Sequence, residues 1–344
     1  MKTTFAATMR LSVLAGLLLA AGLSQPAQAQ SKTGTTIGQF LLIEPSARLA
    51  GMGNAGVAMY DEILSAYYNP GAIGLQKGYG VQVTHSAWLA DISYNYAAAA
   101  LRAGGLGNLY LSLTSLNSGE IDVRTVEQPL GTGERYSVSN LALGIGFGRQ
   151  ISDRFSAGLT VNFVQETIWH SSISTFALNV GTVYQLSGTG LRVGASISNF
   201  GLQAKYSGRD LRIRFDRDPG KYGDNSSLPG DVFTENYPLP VLFRVGLTMP
   251  VALNESNELH VAVNAFHPSD NTESVSFGAE WTLLKTFSVR AGYQNLYLKD
   301  SEVGLTLGAG LNYELEDYGF RFDYAWADYG RLENTQRFTL GVVF

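Results

Sequence analysis

The sequence predicts an all-β fold, a 14-stranded antiparallel transmembrane β-barrel with an N-terminal hatch segment. Three observations carry that prediction. The 344 residues are poor in charge, at 15% against roughly 25% in ordinary soluble domains. They alternate with period 2 over long stretches, and those stretches are even in number. The 39 glycines make up about 11% of the chain against a usual value near 7%. With a mean hydropathy of +0.02, so little charge would leave the surface aggregation-prone unless something other than water covers part of it.

The alternation is specific in kind. Leu141, Leu143, Ile145 and Phe147 interleave with Asn140, Ala142, Gly144 and Gly146. Val303, Leu305, Leu307, Ala309, Leu311 and Tyr313 interleave with Gly304, Thr306, Gly308, Gly310 and Asn312. A water-soluble sandwich would place charge on its outer face. Here one face is apolar and the other is Gly, Ala, Ser, Thr or Asn, which suits lipid outside and a closed lumen inside. Strands of about ten residues, tilted by ~40°, cross the roughly 25 Å apolar band of an outer membrane.

Taken in order, strands are expected to start near Val81, Ile92, Leu106, Val138, Arg154, Ser174, Gly190, Val241, Glu258, Ser274, Phe287, Val303, Tyr318 and Gln336. Bacterial single-chain barrels have even strand numbers, short periplasmic turns and long outer loops. The two longest connections, Asn117–Ser137 and Phe200–Leu239, are both odd-numbered. The even-numbered ones are short, from Leu101–Gly105 and Ile151–Asp153 to Glu314–Asp317. A wrong strand count would scramble this parity. Trp88, Trp169 and Trp326 fall at expected outer strand ends, where an aromatic girdle belongs, and Phe155, Phe287 and Tyr318 at inner ends.

The N-terminus reads as an export signal. Lys2 and Arg10 precede the apolar run Leu11–Leu23, and Ala27-Gln28-Ala29 offers a small-x-small cleavage site. The run is too short for a membrane anchor, which needs ~20 residues. The expected organisation is therefore a signal peptide over 1–29, a hatch segment over 30–80 and a barrel over 81–344. Removing the leader and its two cations takes the formal charge from -5 to -7.

The hatch segment contains Pro45-Ser46-Ala47-Arg48-Leu49-Ala50-Gly51-Met52-Gly53-Asn54-Ala55-Gly56-Val57-Ala58 and then Ser65-Ala66-Tyr67-Tyr68-Asn69-Pro70-Gly71-Ala72-Ile73-Gly74. Gly51, Gly53 and Gly56 spell G-x-G-x-x-G, but no apolar strand precedes them and no βαβ unit surrounds them, so a dinucleotide fingerprint is excluded. The residues read instead as a packed segment in which Gly lets backbone approach backbone, followed by an Asn-Pro-Gly turn. Its expected place is the lumen, because a barrel of fourteen strands is too wide for wall side chains to fill.

This motif ahead of a barrel resembles the PorV/PorQ family of outer-membrane proteins, relatives of the FadL-type transporters. The resemblance implies that Ser46, Arg48, Gly51, Met52, Gly53, Asn54, Gly56, Asn69, Pro70 and Gly71 belong to a hatch. Asn54 stands where many relatives carry another Gly. It further implies a role in type IX protein secretion, the export route of Bacteroidota-like bacteria. There, such barrels receive exported proteins that bear C-terminal domains and pass them between secretion components. PorV-like, PorQ-like and other paralogous roles stay open on these residues. The last strand, with Phe338, Leu340, Val342 and Phe344 on one face, is similar to the signal read by the outer-membrane barrel assembly machinery.

Chemistry is not expected. His85, His170, His260 and His267 lack metal-ligand spacing and the chain has no Cys. No cofactor is implied, and the acidic balance disfavours nucleic acid. Lipid of the outer membrane is the implied surroundings. The outer connection Phe200–Leu239 mixes cations with aromatics, and Tyr206, Arg209, Arg212, Arg214, Phe215, Tyr222 and Phe233 are its candidates for partner docking, since Arg and Tyr are enriched at binding hot spots. The alternative function is a FadL-like channel for hydrophobic small molecules, which would need a continuous apolar lumen lining.

Overall fold

The computed structural model describes residues 32–221, 227–299 and 301–344. The expected signal peptide, and Tyr222 of the outer loop, lie outside the described residues. Fourteen long strands follow one another along the chain: β1 Gly80–Ala87, β2 Ser93–Arg102, β3 Asn108–Asn117, β4 Val138–Ser152, β5 Phe155–Ile168, β6 Ser171–Gln185 and β7 Arg192–Gly201. The second half is β8 Leu242–Ala252, β9 Glu258–Pro268, β10 Ser274–Leu283, β11 Phe287–Leu296, β12 Leu305–Leu315, β13 Tyr318–Asp328 and β14 Asn334–Val343. Each begins within three residues of its expected start.

Every one of these strands pairs antiparallel with its sequence neighbours, and β1 pairs with β14 from Gly80↔Val343 to Ala87↔Gln336. Closure leaves no edge, which is the condition for a sheet to sit in lipid with its backbone groups satisfied. The ladder shifts register between Gln150 and Ser152 of β4 and at two left-handed asparagines, Asn199 (φ 62) in β7 and Asn295 (φ 57) in β11. Their amides are not orphaned: Asn199 N donates to Asn179 Oδ1 at 2.7 Å and Asn295 N to Ser276 Oγ at 3.1 Å.

Alternation falls as the sequence requires. Val81, Val83, Leu109, Leu111, Leu113, Leu143, Ile145 and Phe147 face outward and are exposed. Gln82, Thr84, Ser86, Thr114, Thr160, Ser196, Ser276 and Thr306 are buried on the opposite face. The girdle expectation needs one correction. Trp88 lies at the outer end of β1 but packs toward the lumen, against Tyr329 (ring centroids 5.3 Å apart) and under the Arg337 guanidinium at 5.1 Å. The buried cation gives that ring a better partner than the interface would. At the inner end, Tyr79, Tyr318 and Phe344 form an aromatic stack with centroids 6.1 and 6.3 Å from Phe344.

The residues before β1 run the height of the barrel. Near the loop side, Lys32 N donates to Asp270 O (3.1 Å) in the β9–β10 connection, and Ile37 N to Pro238 O (3.0 Å). At the turn side, Tyr79 and Phe344 exchange backbone hydrogen bonds of 3.0 and 2.8 Å. Between them lie short helical turns at Gln39–Leu42, Ala47–Ala50, Ser65–Tyr68 and Pro70–Leu75. The core sits between this segment and the wall, where Phe40, Leu41, Leu64 and Ile73 pack with Tyr94, Tyr96 and Tyr110.

Candidate functional site in the lumen and the outer loops

An irregular segment buried in a barrel carries backbone donors and acceptors that must be satisfied. The small polar residues of the wall do this. Gly53 N donates to Thr306 Oγ1 (3.0 Å), Ala47 N to Thr339 Oγ1 (3.1 Å) and Leu64 N to Gln82 Oε1 (2.9 Å). In the other direction, Ser196 Oγ donates to Tyr68 O and Ser156 Oγ to Gly71 O, at 2.8 and 2.7 Å. The inward Ser and Thr pattern is thus more than filler.

Glycine sets the approach distance. A Cβ on Gly51 would lie 3.0 Å from the Gly308 Cα, and one on wall residue Gly278 only 2.1 Å from Met52 O. Gly53 adopts φ 64 against the carbonyls of Phe277 and Tyr293, which requires both the missing side chain and the left-handed backbone. Gly56 leaves room for Leu49. Asn54 is also left-handed (φ 58), so the residue that departs from the Gly-rich pattern is one that tolerates this conformation. Its side chain donates to Gln294 Oε1 and accepts from Tyr68 Oη, both at 3.2 Å. Asn69 caps Gly71 N at 2.9 Å and donates to Val57 O and Thr182 O, while Pro70 opens a short 3-10 turn. Ser46 caps the Ala47–Ala50 turn through Leu49 N and donates to Glu62 Oε1 at 2.6 Å.

Arg48 is the centre of a buried charge network. Its Nε and Nη2 donate to the Glu280 carboxylate of β10 at 2.8 and 2.5 Å. Arg290 of β11 reaches the same carboxylate at 2.6 Å and Asp323 of β13 at 2.7 Å. Arg321 approaches Glu62 at 3.8 Å and Asp323 at 4.0 Å. Three guanidiniums thus meet three carboxylates, and the His260 ring lies 3.5 Å from the Glu280 carboxylate as well. Two more pairs tie the segment to the wall: Glu44 with Arg244 (3.1 Å) and Asp61 with Arg192 (2.8 Å). Reading the motif alone missed all of these partners except Arg48. The signal was there: Arg244, Glu280, Arg290 and Asp323 are isolated charges at inward positions of strands otherwise lined by small residues.

The outer loop after β7 divides in two. Tyr206 and Arg209 are engaged near its base: Tyr206 Oη donates to Glu166 Oε2 at 2.9 Å, and Arg209 meets the His170 ring at 2.7 Å. Asp210 also anchors there. Partial desolvation works against its ionised form, yet the His170 N–H (3.0 Å) and ring hold its carboxyl below the usual carboxylate range. Beyond this base, Arg212–Phe215 pairs with Leu228–Asp231 as a two-stranded ribbon. Arg212, Ile213, Arg214 and Phe215 are all exposed on it, and Phe233 nearby is 83% exposed. The docking candidates are therefore not one patch: Tyr206 and Arg209 serve the loop, and Arg212, Arg214, Phe215 and Phe233 face solvent. In the last strand, Phe338 and Leu340 are exposed on the wall, Val342 is partly covered, and Phe344 joins the inner aromatic stack.

Similar folds are known. The toluene transporter TodX of Pseudomonas putida is 13% identical and superposes with a TM-score of 0.55 over 87% of this chain and 96% of its own. The monoaromatic hydrocarbon channel CymD is 13% identical, with a TM-score of 0.53 over 88% and 97%. A Pseudomonas aeruginosa FadL homologue is 10% identical, with a TM-score of 0.51 over 87% and 98%. At such identities the likeness is one of fold: an outer-membrane barrel of FadL type. No curated protein sequence matches the chain. Residues 25–211, more than half of the chain, match the sequence family described as type IX secretion system protein PorV, and the chain belongs to that family.

Proposed function

We propose that this barrel is an interaction component of type IX secretion that binds exported proteins, through their C-terminal domains, or other secretion components at its outer loops. The observation that carries the reading is the exposed cationic and aromatic ribbon of Arg212, Arg214 and Phe215 with Phe233 beside it, on a chain of the PorV family. Large apolar side chains held in water on a paired ribbon are costly unless a partner covers them. In this reading residues 1–29 are the export signal and residues 30–80 are the hatch. The hatch is tied to the wall by the Glu44, Arg48, Asp61 and Glu62 pairs. Phe338, Leu340, Val342 and Phe344 present the last strand to the barrel assembly machinery, and outer-membrane lipid covers the wall.

A second reading, passage of hydrophobic small molecules, is favoured by the fold shared with the toluene transporter and the monoaromatic hydrocarbon channel. Against it stands the lumen lining of Ser, Thr, Asn and ion pairs. The discriminating experiment replaces Arg212, Arg214, Phe215 and Phe233 by Ser in an assembled barrel and measures retention of secreted cargo in pull-downs from outer membranes. Loss of cargo with the barrel intact supports docking. Unchanged retention, together with uptake of an apolar solute that depends on this protein, refutes it.

A further inference from the structure

We infer that the basic half of the periplasmic mouth is a binding site for the phosphate headgroup of an anionic glycerophospholipid in the inner leaflet. The short connections mark the periplasmic side of the barrel. On that side a cavity of about 570 Å³ is lined by Lys77, Arg102 and Arg154 and by the backbone of Arg149, with Asp153 the one carboxylate in its lining. Among the described residues none of these four cations takes part in an ion pair. The neighbouring cavity of about 770 Å³ shares Lys77 and adds Lys285, but its lining carries Asp61, Glu62, Glu314, Glu316 and Asp317, and its Arg192 and Arg321 are paired. The excess of positive charge is therefore local, on a chain whose net charge is -5.

The site is built rather than incidental. Asn108 Nδ2 donates to Ile73 O (2.8 Å) and Gln76 O (2.9 Å), and Gln76 Nε2 to Tyr60 O and Glu62 O (3.0 Å each). These bonds pin the chain that leads to Lys77 as the cavity floor. Register places Arg102, Asn108 and Gly148 in one row across β2, β3 and β4, on the lumen face. Arg149 follows Gly148 and pairs with Ala157 in the register that puts Phe147 opposite Leu159, so alternation puts it on the outer face with Phe147. Guanidiniums thus stand on both sides of one rim.

The connection between Arg102 and Asn108 contains Gly104 and Gly105, around which a Cβ would find open space. Beside it the wall is apolar and exposed at Leu101, Leu106, Leu109, Phe147 and Ile151. A headgroup that bends over the glycine rim meets cations suited to bidentate phosphate contact, while its acyl chains lie along that wall. A soluble anion would use the cations alone, and a neutral lipid the wall alone. An anionic lipid uses both.

The test is native mass spectrometry of the full chain in non-ionic detergent with dioleoyl phosphatidylglycerol. Arg102→Ala/Arg149→Ala/Arg154→Ala is expected to weaken binding at least about ten-fold, the worth of one charge-assisted contact. Lys285→Ala, in the other cavity, is expected to bind as wild type. The single variant Arg102→Gln, with assembly checked by heat-modifiable migration, keeps the test valid if the triple variant misassembles. Equal binding by wild type and variants overturns the inference. So does equal binding of dioleoyl phosphatidylcholine, which would show a neutral-lipid wall, or displacement by millimolar glycerol 1-phosphate, which would show a site for soluble phosphate. Failure here leaves the cargo-binding reading untouched, because the outer loops are not involved.

Discussion

Replacing Arg48 by Met removes one of the buried ion pairs that tie the segment before β1 to the wall. Arg48 and Glu280 are 4% and 3% exposed and share two hydrogen bonds. Removing one partner of such a pair costs about 3–5 kcal/mol, because the remaining charge stays buried. The network makes the loss asymmetric. After Arg48→Met, Glu280 keeps Arg290 at 2.6 Å, so the lower end, about 3 kcal/mol, is expected. After Glu280→Gln, Arg290 keeps Asp323 at 2.7 Å but Arg48 loses its carboxylate partner and faces a neutral amide, so the upper end, about 5 kcal/mol, is expected. The double variant Arg48→Met/Glu280→Leu removes both charges and should recover much of the loss. The assay is urea unfolding from lipid vesicles followed by tryptophan fluorescence. If Arg48→Met unfolds within about 0.5 kcal/mol of wild type, as a surface substitution would, the argument that this pair holds the segment is wrong.

Gly278→Val should expose the segment to added protease in assembled barrels, since even a Cβ would lie 2.1 Å from Met52 O; unchanged protection would contradict the packing. Phe344→Ala, which removes the ring stacked on Tyr79 and Tyr318, should lower the fraction of heat-modifiable barrel in outer membranes, read on a gel. Phe215→Ser with Phe233→Ser should weaken partner binding at least about ten-fold without changing assembly, as measured by titrating a cargo C-terminal domain. The Asp210 anchor depends on a carboxyl whose value is depressed in the folded state. Its contribution is complete above the ordinary carboxylate range and is lost as pH falls through the depressed value. Proteolysis of the Arg212–Asp231 ribbon by an acid-active protease should accordingly rise at the acid end of that range.

Barrel architecture was legible because period-2 alternation and connection parity are local properties, readable one strand at a time. The sequence places the start of β6 at Ser174 and the structure at Ser171: Ser171 and Ser172 continue the hairpin opposite Ile168 and Thr167 of β5 and also pair with Gly208 and Ser207 of the outer loop. Position alone points Trp88 to a girdle, because nothing near it in sequence announces Arg337 or Tyr329. The glycine-rich motif could be assigned to close backbone contact, but its partners Gly278, Gly292 and Gly308 belong to strands more than two hundred residues away. The same holds for Arg48, whose carboxylate lies on β10. Pairing across a closed wall is a long-range property, and alternation says which face a residue takes but not what it meets there.

The most direct test is a pull-down from outer membranes of wild-type protein and of the Arg212, Arg214, Phe215 and Phe233 Ser variant, with quantitative mass spectrometry of what co-purifies. Exported proteins with C-terminal sorting domains, or other secretion components, should accompany the wild type and fall at least about ten-fold with the variant while barrel recovery is equal. Equal recovery of those proteins with both chains, or none with either, would contradict a docking role for the outer ribbon.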